Sequence, residues 1–223
     1  MINHSMRASE AIGTIIRNAI VFNVKNWGKR PMPDSDIFAT VERLFDLLAA
    51  KQIKFVLVGG IAVLQYVEGR NTEDIDLIIA ISEIKKLPEI KIIESDLYFS
   101  RCSFDDLQID FLLTRNPLFK KVQRSYQTVI TFQDRQIPCV TVEGLLLLKL
   151  YTLPLLYQQG NFARVNLYES DIARLLFSYR SATAPLFTVL QKYLSASDLQ
   201  SVIEIVAEIE TRITRFQNIP RSE

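Results

Sequence analysis

The spacing of hydrophobic and polar residues predicts a mixed α/β half followed by an all-helical half. Short apolar runs predict strands at residues 54–58, 74–80, 97–102, 107–113, 128–132 and 136–140. Apolar residues at helical spacing predict helices at residues 35–48, 61–67, 82–86 and 117–126, and then at residues 143–151, 168–179, 185–194 and 198–216. We therefore predict an α/β (α+β) core with a short mixed sheet, followed by an all-helical C-terminal domain.

The same change of pattern predicts the domain boundaries. Residues 1–34 form a partly helical leader that ends in a break containing glycine and proline. Residues 35–140 form the α/β core, and residues 141–223 form the helical domain. No internal repeat or low-complexity tract is visible in the sequence.

Composition and charge exclude several classes of protein. The 223 residues are 48% hydrophobic and 23% charged, as in an ordinary globular chain. Lysine and arginine number 26 against 25 acidic residues, so the global basic excess of many nucleic-acid-binding proteins is missing. The longest apolar run, residues 144–157, is interrupted by Lys149 and Pro154 and is too short to cross a bilayer. With two cysteines and no secretory signal, the sequence predicts a cytoplasmic protein without a membrane partner.

The scarcity of histidine restricts the chemistry further. His4 is the one histidine of the chain, so catalytic triads that use an imidazole base are excluded. Two cysteines 37 positions apart, Cys102 and Cys139, do not supply a zinc site built on cysteine and histidine clusters. Any catalysis must therefore use carboxylates, lysine or a metal ion held by oxygen ligands.

A candidate site for such a metal lies in residues 55–80, FVLVGGIAVLQYVEGRNTEDIDLIIA. A buried strand runs into Gly59-Gly60, and a helix follows at once, so backbone amides are available to an anion such as a phosphate. Asp74 and Asp76 stand two positions apart on the next strand, and their side chains leave the same face about 6.7 Å apart. Two carboxylates on an apolar strand repel each other unless a cation lies between them.

A third carboxylate, Asp110, lies in the apolar run of residues 107–113. If the two strands are neighbours, Asp74, Asp76 and Asp110 can hold two Mg²⁺ ions about 4 Å apart, as in phosphoryl-transfer sites. Each feature alone has a simpler explanation, because an Asp-X-Asp is common and a Gly-Gly is often a tight turn. The segment also lacks the third glycine of the dinucleotide fingerprint and the Gly-Lys-Ser/Thr of a P-loop. The combination of these features is what indicates a metal and nucleotide site.

These residues resemble the minimal nucleotidyltransferase fold of the DNA polymerase β superfamily over residues 36–180. The string Arg70-X-Thr72-X-Asp74-Ile75-Asp76-Leu77 resembles the AbiEii-type branch, which includes toxins of toxin–antitoxin systems. The resemblance implies that a nucleoside triphosphate binds with its phosphates over Gly59 and Gly60. Arg70 and Thr72 are predicted to bind the nucleotide as well, and Arg70 is equally explained as an exposed loop arginine. It implies that a nucleoside monophosphate is transferred to an acceptor hydroxyl of tRNA or protein, and it leaves open whether an antitoxin partner exists.

The resemblance also assigns two residues of the helical domain, Lys149 and Asp171, to the catalytic site, with Lys149 contacting the nucleotide. Lys149 lies on a helix that is apolar on every side, so its ammonium either has an anionic partner or reaches solvent along its stem. Asp171 alone is also explained as a helix acid stabilised by the helix dipole. Ser170 stands where that branch usually has a basic residue.

Two other functions remain open at this point. A catalytically inactive nucleotide-binding or complex-forming module would have lost a metal carboxylate, whereas all three are present here. A nucleotidyltransferase of small molecules such as antibiotics would have an acidic acceptor cleft, whereas a basic cleft would favour tRNA.

Overall fold

The computed structural model describes residues 34–68, 72, 74–105, 107–132 and 134–217, and it describes only the backbone of residues 34–38, 216 and 217. All of the predicted leader except Asp34 lies outside these residues, and so does Arg70. Strands are formed by Phe55–Val58 (β1), Ile75–Ile79 (β2), Lys91–Ser95 (β3), Phe99–Phe104 (β4), Leu107–Leu113 (β5), Gln127–Phe132 (β6) and Arg135–Val140 (β7). Helices are formed by Asp34–Ala50 (α1), Gly59–Tyr66 (α2), Ile81–Ile84 (α3), Pro117–Ser125 (α4), Val142–Gln158 (α5), Phe162–Tyr179 (α6), Ala184–Leu190 (α7) and Ala196–Gln217 (α8).

The seven strands form one mixed sheet in the order β3-β4-β5-β2-β1-β7-β6. Strand β2 pairs antiparallel with β1 and parallel with β5, so β2 lies near the middle of the sheet. Its burial is nearly complete because Ile75, Leu77, Ile78 and Ile79 are all buried, as expected for a central strand. The predicted fold class, an α/β core with a mixed sheet followed by helices, is confirmed.

Helix α1 packs its apolar face against the sheet, as its hydrophobic spacing predicts. Val41, Leu44, Phe45 and Leu48 are almost completely buried. The Phe45 ring stacks on Phe55 of β1 at 6.1 Å between centroids. This packing covers the sheet on the α1 side with an apolar layer.

Backbone contacts divide the chain into two compact units, with the boundary along the sequence between Thr141 and Val142. The second unit consists of α5 to α8 and has its own apolar core, which includes Leu153, Ile172 and Val202. No helix among the described residues is long and apolar enough to cross a membrane.

Several element boundaries differ from the sequence prediction. Strand β3 was not predicted, because each of its residues is exposed and no alternation of apolar and polar residues marks it. Helix α5 continues through Pro154, where the prediction ended at residue 151, because buried Leu153 and Leu156 keep that turn packed. Helix α6 begins at Phe162, six residues before its predicted start, and the side chain of the N-cap residue Asn161 accepts a hydrogen bond from the Arg164 amide.

Candidate metal centre

The register of the central strands places two carboxylates side by side. Asp76 of β2 lies opposite Asp110 of β5 in their parallel pairing, so both side chains leave the same face of the sheet. Asp74 lies just before β2, which begins at Ile75 and not at residue 74 as predicted, and its carboxylate joins the same cluster. One carboxylate oxygen from each of the three residues lies within 4.8 Å of the others. Hard oxygen ligands at this spacing suit Mg²⁺, and the sequence-predicted carboxylates are brought together.

The Gly59-Gly60 turn is shaped around Asp76. Gly59 has a φ of +67°, a backbone conformation that L side chains rarely adopt. A Cβ at Gly59 would lie 1.7 Å from Asp76 Oδ2, so the carboxylate fills the space that a side chain would need. The Gly60 amide donates a hydrogen bond of 3.3 Å to the same oxygen. The two glycines therefore allow Asp76 to approach the start of α2, where its charge is favoured by the helix dipole.

Two neighbouring polar side chains orient Asp74. The Thr72 hydroxyl donates to Asp74 Oδ1 at 3.3 Å, and Thr72 is buried. The Gln108 amide lies 3.5 Å from Asp74 Oδ2 and 3.4 Å from Asp110 Oδ1, so it bridges two of the carboxylates. The contact of Thr72 with Asp74 is shown, whereas its predicted contact with a nucleotide stays a prediction. Gln108 was missed by the sequence reasoning, although its position two residues before Asp110 on an alternating strand marks the shared face.

Arg101 is the second residue that the sequence reasoning missed. It lies opposite Asp110 in the β4–β5 pairing, and its Nε and Nη2 atoms donate to the two carboxylate oxygens at 3.0 and 2.9 Å. These hydrogen bonds, together with the charge of Asp110, raise the pKa of Arg101 against the opposing effect of burial. No spacing along the chain reveals this contact, because it depends on which strands pair and in which register.

Lys149 and Asp171 form a buried ion pair inside the helical unit. Lys149 Nζ of α5 lies 2.7 Å from Asp171 Oδ2 of α6, and the two side chains are 6% and 1% exposed. The same ammonium lies 4.3 Å from the centre of the Tyr168 ring, a distance typical of a cation–π contact. The alternative in which Lys149 reaches solvent is therefore wrong, and the required anionic partner is Asp171. Their predicted roles toward a nucleotide stay predictions.

The chain is similar, at low sequence identity, to solved structures of known proteins. No protein-family model and no curated protein matches this chain significantly. Among solved structures, it is similar to ANT(2″)-Ia in complex with adenylyl-2″-tobramycin, with 11% sequence identity, a TM-score of 0.49, and coverage of 78% of this chain and 97% of that chain. It is also similar to an antigenic nucleotidyltransferase-like protein from Paracoccidioides brasiliensis, with 14% identity, a TM-score of 0.45, and coverage of 88% and 94%. Similarities at this level assign no family, and the residues of the site must carry any functional conclusion.

Proposed function

We propose that this protein is a Mg²⁺-dependent nucleotidyltransferase that transfers a nucleoside monophosphate from a nucleoside triphosphate to an acceptor hydroxyl. The observation that supports this most strongly is the convergence of Asp74, Asp76 and Asp110 within 4.8 Å, beside the Gly59-Gly60 start of a helix. The site combines oxygen ligands for divalent cations with backbone amides that suit phosphate oxygens.

In this proposal each carboxylate has a defined task. Asp74 and Asp76 would hold the metal ions, and Asp110 would help to hold one of them or accept the proton of the acceptor hydroxyl. When bound, the ions neutralise charge on the triphosphate oxygens and favour pyrophosphate as the leaving group. Thr72 and Gln108 keep Asp74 in place through the hydrogen bonds described above.

The remaining site residues enter as proposals of the same function. The resemblance of residues 70–77 to the AbiEii-type branch supports Arg70 as a nucleotide contact, tRNA or protein as the acceptor, and a toxin role with an antitoxin partner. Lys149 and Asp171 are proposed as site residues on that resemblance, and their buried pair shows that Lys149 is held in one position. A cytoplasmic location is supported by the two buried free thiols, Cys102 and Cys139.

A labelling experiment tests the proposal. The protein is incubated with each α-³²P-labelled triphosphate, Mg²⁺ and, in separate reactions, total tRNA, cell protein or an aminoglycoside. We expect label on tRNA or protein, and Asp76→Asn should reduce the rate by roughly 10³-fold, since losing a metal ligand removes several kcal/mol of charge stabilisation. Asp46→Asn is the matched control, because Asp46 is an exposed acid of α1 that pairs with Arg135 and should leave the rate unchanged.

The same experiment separates the alternatives. Label on the aminoglycoside alone would identify a small-molecule nucleotidyltransferase. Binding of a labelled triphosphate without transfer to any acceptor would favour the inactive nucleotide-binding module. If Asp76→Asn transferred label as fast as the wild-type protein, the proposed metal centre would be wrong.

A further inference from the structure

The Arg101 guanidinium hydrogen-bonds both oxygens of Asp110, one of the three carboxylates that would hold a metal ion. The guanidinium gives one hydrogen bond to each oxygen of Asp110, and the Asp110 side chain is only 5% exposed. Parallel bonds of this kind fix the planes of both groups and are stronger than bonds between neutral partners. A divalent cation approaching Asp110 therefore meets a positive charge already in contact with its ligand.

The position of the guanidinium is set by the sheet. Arg101 Cζ lies 5.5 Å from the centre of the Phe99 ring, two residues earlier on β4. Glu94 of β3 lies opposite Arg101 in the next strand pairing, so the arginine has acidic residues on both neighbouring strands. This arrangement gives one row of alternating charge across three strands, with Glu94, Arg101 and Asp110 in register.

The positive charge of Arg101 matters for metal binding. Three carboxylates, Asp74, Asp76 and Asp110, converge on the site with a formal charge of −3, and Arg101 reduces the local charge to −2. A positive charge beside the ligands repels a divalent cation, and the repulsion is largest where water is partly excluded. Arg101 therefore serves as a counter-ion of the carboxylates when no metal is bound, and the same charge weakens the binding of a metal ion.

We propose that Arg101 is a built-in counter-ion of the metal centre, a positioning residue that holds Asp110 in the metal-free protein and whose positive charge weakens the binding of a divalent cation. This inference rests on the proposed function, because it concerns the same three carboxylates. Its consequence is that removing the charge of Arg101 makes metal binding tighter, whereas a residue that merely supports the fold would leave the affinity unchanged or weaken it.

The experiment is a titration of the full-length protein with Mn²⁺ in the absence of nucleotide, in which electron paramagnetic resonance reports the free ion. Arg101→Gln should bind Mn²⁺ at least about tenfold more tightly than the wild-type protein, the scale of losing one positive charge near a divalent ion. Arg101→Lys keeps the charge and should stay close to the wild-type affinity. Arg135→Gln is the matched control, because Arg135 makes the same bidentate contact with Asp46 elsewhere in the sheet unit and should change nothing.

Each outcome of the Arg101→Gln titration either supports or overturns the proposed role of Arg101. If Arg101→Gln is unfolded without metal, millimolar Mn²⁺ should restore its circular dichroism, and failure to do so overturns the proposal. Equal or weaker Mn²⁺ binding by a folded Arg101→Gln also overturns it. The proposed function itself would be wrong if the wild-type protein and Asp76→Asn bound Mn²⁺ equally well and neither transferred a nucleotide.

Discussion

At the scale of single residues, the approach of Asp76 to Gly59 is the tightest constraint in the site. The sequence reasoning gave Gly59-Gly60 a phosphate-binding role, and the structure adds that an acid of the neighbouring strand already fills the space beside Gly59. Any side chain at Gly59 must therefore displace Asp76 in addition to adopting a positive φ. This makes the glycine a requirement of the metal centre itself.

We predict that Gly59→Ala destabilises the protein by about 3 kcal/mol or more, the range reached when backbone strain and steric overlap combine. It should also weaken Mn²⁺ binding, because Asp76 is pushed from its place. Urea unfolding and the Mn²⁺ titration measure the two effects. Gly160→Ala is the control, since Gly160 has a similar φ of +65° but has nothing within 4 Å of its added Cβ.

The control should cost only the strain of the left-handed conformation, about 1–2 kcal/mol, with no change in Mn²⁺ affinity. If Gly59→Ala lost no more stability than Gly160→Ala and bound Mn²⁺ normally, the contact between Gly59 and Asp76 would have no energetic role.

At the scale of the elements, the pair of helices α5 and α6 is joined by a buried ion pair. Lys149 and Asp171 are almost fully buried, and removing one partner leaves the other charge without compensation. We predict that Lys149→Met lowers the free energy of unfolding of the helical unit by about 3–5 kcal/mol. This outcome differs from a purely catalytic lysine, whose replacement would leave stability unchanged.

The double variant Lys149→Met/Asp171→Leu provides the test of this explanation. Replacing both charges by apolar side chains of similar size should regain most of the lost stability, because no unpaired charge remains. Thermal unfolding of the wild-type protein, the single variants and the double variant, followed by circular dichroism, measures this double-mutant cycle. Strictly additive losses in the double variant would show that the two side chains do not stabilise each other.

The elements also show how far the sequence determines the fold and the site. Asp76 and Asp110 were found because they interrupt strongly apolar strands, and Asp74 because it directly precedes one; such features are visible along the chain. Arg101 was not found, because an arginine on a half-exposed strand looks ordinary until its cross-strand partner is known. Strand β3 was not predicted, because an edge strand with both faces exposed has no pattern of buried and exposed residues.

At the scale of the whole molecule, the site lies on central strands of the sheet, whereas the edge strands are more exposed. The row of residues that includes Asp76, Asp110 and Arg101 follows directly from the pairings of β2, β5 and β4. Buried strands hold their register firmly, because a slip by one residue would turn apolar side chains toward solvent. The stability of the sheet is therefore a condition for the geometry of the metal centre.

The two cysteines of the chain report on that stability, because both lie in the sheet and both are fully buried. Burial, assisted by the charge of Asp110, raises the pKa of Cys102 to about 11, and burial raises the pKa of Cys139 to about 12. We predict that native protein at pH 8 reacts with Ellman's reagent roughly 10³-fold more slowly than urea-unfolded protein, because a thiolate forms only where the sheet opens. Rapid labelling of either thiol in the folded protein would contradict a closed sheet, and release of two equivalents in urea is the control.

The pKa values of both thiols are raised in the folded state, so the thiols of the unfolded chain ionise first as pH rises. The free energy of unfolding should therefore fall as pH rises from 9 towards 11.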